Sequence, residues 1–454
     1  MTVPTALGWD GVAQPAAARA LRTAIASDQL GHAFLLVGPR GVGQRELART
    51  FGAALNCEAA TAGDPCGDCE TCRRFGRDTH TALITFEPEG ANHLVGAVRE
   101  DWIPTASRTL TEGRRRLIRI VAADRMNESA QNAFLKALEE PPPSTIWVLE
   151  AESDQPLLDT ILSRCRRLDL VTWGPGDLMA RAATLDLPES RRPALVRAAM
   201  GSPDRLAALA RRECPECGRV YLPGPDGHAA LECLNHEVTC SRCGTTFKGP
   251  IKGDICRRTP CDCTVGEFDP AAVRGVATEL DPARERHLDV VRRLGDEGPG
   301  AVASVARDIT GWAQRCAAGL ADQHQAELEQ LAADYGVEDN RNWPPGVKTR
   351  VEKRHHRQQR EARREAIDRF LDDLGSYLRD LLVVHAGGTE DTLVNLDHAT
   401  ALRRDAARLP AEAAIRGLSD ISRCREALTE FNGQPELQLE RILTPMAAAL
   451  FATR

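Results

Sequence analysis

The chain has 454 residues, too many for one ordinary core, and its length predicts roughly two to four domains. Apolar residues make up 42% and aromatics only 4%, so the cores must be built from Ala, Leu, Val and Ile, a composition that favours helices. The net charge of −7 argues against nucleic-acid binding over the whole surface and leaves room for local basic faces. No apolar run approaches the ~18 residues of a membrane span. The opening MTVPTALGWDG lacks the charged and apolar regions of a secretory signal, so a cytoplasmic chain is expected.

The first 170 or so residues read as alternating strands and helices. His32 to Gly38 is a short apolar run ending in glycine, followed by the helical pattern ELARTFGAALN. Arg116 to Ala123 is a second buried-strand pattern. Ser129 to Glu140 is a helix stopped by Pro141, Pro142 and Pro143, and Thr145 to Ala151 is a third strand. This alternation implies a parallel sheet with helical crossovers. From Gly174 to Arg212 small helices rich in Ala, Leu and Arg take over. Residues 213–267 then turn rich in Cys, Gly, Pro and Thr. Beyond Asp269 the chain is helical, most clearly where Ile367, Phe370, Leu371, Leu374, Leu378 and Leu381 form a one-sided stripe.

Gly38, Gly41 and Gly43 fall between the first strand and its helix, where a phosphate-binding loop belongs. The frame G-x-x-x-x-G is intact, but the Lys and Ser/Thr that should follow are Gln44 and Arg45. Lysine supplies charge to the β/γ-phosphates and the hydroxyl ligates Mg²⁺; Gln44 does neither job well, and Arg45 cannot ligate Mg²⁺. The strand through Ile120 should end in acids that hold Mg²⁺. It continues instead as Val121, Ala122, Ala123 and Asp124. A decayed loop is expected, with no ATP hydrolysis by this chain.

Fifteen cysteines, mostly in two groups, point to metal rather than disulfides in a reducing compartment. Cys57, Cys66, Cys69 and Cys72 offer four thiolates within sixteen residues, enough for a closed structural Zn²⁺ site. In the second group Cys214, Cys217, Cys240 and Cys243 form two zinc knuckles. One partition puts these four on one ion and leaves Cys233, His236, Cys256, Cys261 and Cys263 for another. The other pairs Cys214 and Cys217 with Cys233 and His236, and leaves Cys240 and Cys243 for Cys256 and Cys261 or Cys263. Spacing does not choose between them. Arg242, Lys248, Lys252, Arg257, Arg258 and Phe247 make a nucleic-acid surface one use of this segment, with protein docking or simple stabilisation as others. The basic run from Lys348 to Arg364 reads first as a solvated helix face paired with Glu352, Glu361 and Glu365.

The stretch from Asp124 to Pro142, the Ser163-Arg164-Cys165 triplet and the Cys57–Cys72 module occur in the order found in bacterial clamp-loader subunits. The chain therefore resembles that family, and within it the delta-prime type. Motor subunits keep the loop lysine and the Walker B acids that are missing here. Delta subunits lack the zinc module and the SRC arginine that are present. Around the Arg350–Asp380 helix the resemblance is to actinobacterial members.

The resemblance implies an α/β plus α architecture. Residues 1–172 would form a RecA-like AAA+ parallel-sheet core, 173–212 a helical lid, 213–267 a zinc-binding insertion, and 268–454 an all-helical collar. It implies that Arg164 is offered in trans to a neighbour's ATP, against the plainer reading of an ordinary ion pair. The implied partners are the motor (gamma/tau) and delta subunits, the sliding clamp and primer-template DNA in the replisome, with no membrane. Two rival classes are a divergent ATP-hydrolysing motor and a zinc-dependent nucleic-acid-binding adaptor.

Overall fold

The computed structural model of the chain describes residues 7–12, 14–88, 92–185, 187–221, 230–233, 237–239, 246–248, 276–334, 337, 343, 347–430 and 433–452. His236, Cys240, Arg242, Cys243, Lys252, Cys256, Arg257, Arg258, Cys261 and Cys263 lie outside the described residues. The chain divides into two compact units, the first holding residues 1–207 with two short later segments, the second holding the remainder.

The first unit is a five-stranded parallel sheet. After helix α1 (Pro15–Ala26) come β1 (Ala33–Val37), α2 (Gln44–Asn56), α3 (Glu70–Gly76) and β2 (Leu83–Phe86). Then follow β3 (Arg116–Ile120), α4 (Glu128–Glu139), β4 (Thr145–Ala151) and β5 (Arg166–Asp169). The spatial order is β2-β3-β4-β1-β5, so β1 and β4 are central and every residue of both is buried. Continuous apolar runs such as AFLLV are what two covered faces require. This sheet is the parallel core with helical crossovers that the strand–helix alternation implied. Helix α4 begins where the Asn127 side chain accepts a hydrogen bond from the Ala130 amide at 2.8 Å. It ends one residue before the three prolines, which cannot continue a helix. Its Phe134 packs edge-on between Trp102 and Trp147, with ring centroids 5.6 and 4.8 Å away. Two short helices, Pro175–Thr184 and Arg192–Ala198, follow in this unit, and a third, Pro203–Leu209, runs across its boundary at residue 207.

The second unit is mostly helical, built on Val302–Ala318, Val347–His385 and Pro435–Ala452. All six stripe residues of the long helix, Ile367 to Leu381, are buried. Two charged pairs lie inside this unit: Arg284 donates to Asp397 at 2.7 and 3.0 Å, and His287 Nδ1 lies 2.9 Å from Asp373. Strands Glu279–Leu280, Arg212–Glu213 and Val220–Tyr221 form one small antiparallel sheet, and Glu232–Cys233 pairs with Val276–Ala277. Glu237–Thr239 pairs with Thr246–Lys248. No helix among the described residues is long and apolar enough to cross a membrane.

Candidate functional site

β1 delivers the chain into the Gly38–Gly43 loop at the head of the sheet, and α2 starts at Gln44. Gly43 has φ of +111°, a conformation that side chains disfavour, and a Cβ there would stand 3.1 Å from the Val12 carbonyl. Gln44 turns back onto the loop. Its Oε1 accepts from the Val42 amide at 3.0 Å, and its Nε2 donates to the Pro39 carbonyl at 2.6 Å. In a working loop such amides face a phosphate. Here the Val42 amide is engaged by a side chain that is almost fully buried.

The loop is also held from outside. Trp173 Nε1 and Gln14 Nε2 donate to the Val42 carbonyl at 2.7 and 2.9 Å, and Ser202 Oγ donates to the Gly41 carbonyl at 2.9 Å. Gln14 further bridges to the backbone of Val171 through both ends of its amide. Arg45, at the position of the missing hydroxyl, points to Asp78, which it shares with Arg49. Burial alone would push the Asp78 carboxyl up, but the two guanidiniums overcome it and hold the carboxyl well below its usual range.

The far half of the site is equally altered. β3 stops at Ile120, and Ala122 adopts a left-handed φ of +53°, which ends the strand. Val121 and Ala122 bring hydrocarbon where Mg²⁺-binding acids would stand. The Val121 carbonyl lies 2.7 Å from His93 Nε2, and burial lowers the His93 pKa to about 4. Asp124 accepts from the Glu152 amide at 3.1 Å, so this carboxylate serves the backbone of the segment after β4. Glu150 is paired with Arg119 on β3, with one contact at 2.9 Å.

Arg164 stands on the turn after the short helix Asp159–Leu162 and leads into β5. Its side chain is about one-third exposed. Nη1 donates to the Thr160 carbonyl at 2.9 Å and Nη2 to Glu139 Oε1 at 2.7 Å. The ion pair weighed against the finger reading is therefore present, formed with Glu139 of the Asp124–Pro142 stretch. Its neighbour Cys165 packs against the sheet core, and burial raises its thiol to about 12, which suits packing and not nucleophilic chemistry.

The four thiols Cys57, Cys66, Cys69 and Cys72 converge between α2 and α3. Sulfur separations of 3.6 Å (Cys57–Cys66), 3.8 Å (Cys57–Cys69) and 3.9 Å (Cys66–Cys72) match the ~3.8 Å edge of a tetrahedron with Zn–S bonds of about 2.3 Å. The amides of Cys69 and Cys72 donate to the sulfurs of Cys66 and Cys69 at 3.4 Å each. Hydrogen bonds from the Cys69 and Asp68 amides pull the Cys66 thiol down to about 6, while burial pushes Cys72 up. The donor set fits a closed structural metal site. In the second group Cys214, Cys217 and Cys233 come together, and their sulfurs all lie within 4.8 Å of one another. This is the pairing of Cys233 with the first knuckle; Cys240 and Cys243 fall outside the described residues.

The basic run lies on Val347–His385. Lys348 faces Glu352 at 3.8 Å, Arg364 faces Asp368 at 3.7 Å, and Arg354 and His355 both reach Glu327 on the preceding helix, at 2.5 and 2.8 Å. Of these acids Glu352 is one that the solvated-face reading named, while Glu327 and Asp368 were not among them, and His355 is buried. Gln14, His93, Trp173 and Ser202 escaped the sequence reading. Each acts on a backbone carbonyl, a role with no spacing signature, although a Trp in so aromatic-poor a chain was a cue.

Residues 13–173 match the sequence family described as DNA polymerase III, delta subunit, and residues 363–447 match the DNA polymerase III, delta subunit, C terminal family. The chain is 39% identical to the DNA polymerase III subunit delta' of Pseudomonas aeruginosa over 139 residues, 30% of this chain and 42% of that protein. It is 29% identical to the delta' subunit of Escherichia coli over 285 residues, 57% of this chain and 81% of that protein. It is 32% identical to the tau subunit of Bacillus subtilis over 162 residues, 35% of this chain and 28% of that one. The chain thus spans less than half the length of the first of these relatives. The chain is thus similar to delta-prime subunits of DNA polymerase III, and its residues 13–173 match the family described as DNA polymerase III, delta subunit.

Proposed function

We propose that this chain is a non-hydrolysing, delta-prime-type subunit of a replicative clamp loader, and that it supplies Arg164 in trans to the ATP of a neighbouring motor subunit. One observation carries the reading: Gln44 fills its own loop while Arg164 stands partly exposed on the S-R-C turn. A loop whose amide is satisfied internally has little to offer a phosphate, and a strand end of Val121 and Ala122 cannot hold Mg²⁺. A guanidinium that reaches a neighbour's γ-phosphate stabilises the charge that builds there during transfer. The second unit would serve as collar. The Cys57–Cys72 site would hold a structural Zn²⁺ that fixes the segment after α2, and the cysteines of the insertion would hold further metal.

In this reading the chain assembles with gamma/tau and delta subunits, and the assembly opens a sliding clamp on primed DNA in the cytoplasm. The test is assembly and turnover together. The purified chain should enter a complex with motor and delta subunits, seen by analytical ultracentrifugation, and should hydrolyse no ATP by itself. Turnover by the isolated chain that disappears in Arg45→Ala or Asp124→Ala would favour a motor instead. Failure to assemble would remove the proposal.

A further inference from the structure

We propose that Cys214, Cys217 and Cys233 ligate one shared zinc-class metal ion, and that this ion ties the root of the 213–267 insertion to the helical unit. The inference rests on the reading that the insertion holds metal, and it assigns three of the ligands. The matched families end at residue 173 and resume at residue 363, so this segment lies between them.

Three observations carry the assignment. First, the sulfurs are already gathered: Cys217 and Cys233 stand 3.7 Å apart, close to the ~3.8 Å edge of a tetrahedral thiolate site. Second, the backbone has the form of a knuckle. The Cys214 amide donates to the Arg219 carbonyl and the Gly218 amide to the Cys214 carbonyl, both at 2.9 Å, with Gly218 at φ +67°. Third, Cys233 comes from a separate strand, Glu232–Cys233, fixed by its pairing with Val276–Ala277. Tyr221 donates its hydroxyl to Cys233 Sγ at 3.0 Å, the kind of outer donor that orients a metal ligand. Cys214 and Cys233 are fully buried, and three converging thiols at such a place gain far more from a cation than from one another.

The knuckle is seated on the helices of its own unit. Glu213, the residue before Cys214, is buried and meets Arg286 at 2.7 Å and Arg315 at 3.5 Å. A Cβ on Gly218 would lie 3.2 Å from Arg315 Cδ, and one on Gly319 would lie 2.7 Å from the Val220 carbonyl. The strands on either side of the turn therefore touch the C-terminal end of Val302–Ala318 and the residue that follows it. An ion that fixes the turn also fixes that contact.

The experiment is zinc stoichiometry on the full chain. Wild type should hold more than one equivalent. Cys214→Ser and Cys233→Ser should each lose one, and the double variant should lose the same one. Loss of two equivalents by the double variant puts the cysteines on different ions and overturns the assignment alone. A wild type holding a single equivalent, all of it lost in Cys66→Ser, overturns the metal reading of the insertion with it. Cys233→His, which keeps a ligand, should retain full zinc, so that misfolding of the serine variants is recognised; loss of the ion there would count against the site. Chelation should raise amide exchange in Val302–Ala318 at least tenfold, and unchanged exchange would overturn the tie.

Discussion

Arg164 and Glu139 are joined by a 2.7 Å ion pair that links the S-R-C turn to the last residue of helix α4. Both side chains are partly exposed, and pairs of this kind contribute ~0–1 kcal/mol. Arg164 can therefore exchange Glu139 for a phosphate on a neighbour at little cost. Glu139→Gln should change the unfolding free energy by less than about 1 kcal/mol, measured by urea denaturation. In the assembled complex it should leave ATP turnover unchanged or raise it. A tenfold fall would mean that Glu139 positions Arg164 and does more than hold it between encounters.

Gln44 bonds the loop at two points from a nearly buried position. Gln44→Ala leaves the Val42 amide and the Pro39 carbonyl without this partner and should cost about 1–3 kcal/mol in urea unfolding. Restoring the loop pattern with Gln44→Lys and Arg45→Ser should still give no turnover, because Val121 and Ala122 supply no Mg²⁺ ligand. Hydrolysis in that double variant would show that the strand end is not the block.

His93 sets a pH dependence. Burial lowers its pKa from 6.5 to about 4, so the folded chain keeps the ring neutral while the unfolded chain takes up a proton. Its effect is absent above pH 6.5. Stability is lost as pH falls from there towards 4, by an amount on the order of 3 kcal/mol. Unfolding curves at stepped pH should show this slope, and His93→Gln should flatten it.

Much of the first unit was legible because burial leaves a mark on sequence. The strand at Thr145–Ala151 is carried by the apolar run Ile146–Leu149, since both faces of the sheet are covered, and the helix from Glu128 has its stop in plain view at the three prolines. The edge strands were not legible. β5 reads Arg-Arg-Leu-Asp, with Leu168 its one buried residue, and β2 is short and half-exposed. Their identity comes from pairing with β1 and β3, which is a tertiary fact. The failed loop was visible as the absence of Lys. The reason it is closed was not, because Gln14, Trp173 and Ser202 reach it from 14 to 202 along the chain through backbone carbonyls. The Cys57–Cys72 cluster could be read from spacing alone, whereas the placement of Cys233 beside Cys217 needed the strand that carries it.

Metal at the Cys57–Cys72 site should be separable from the rest. Cys66→Ser should lose one equivalent of zinc and loosen the segment between α2 and β2. Proteolysis should then cut within residues 57–82 at least tenfold faster, while the second unit keeps its melting temperature. Full zinc retention in Cys66→Ser would contradict four-thiolate coordination.

For action in trans through Arg164, the decisive measurement is ATP turnover of motor and delta subunits reconstituted with clamp, primed DNA and this chain. With Arg164→Ala the complex should still assemble, and turnover should fall by roughly 10²-fold or more, as loss of an arginine finger does in strong cases. Turnover equal to wild type in a fully assembled complex would contradict the claim and leave the S-R-C turn as an ordinary ion-paired corner.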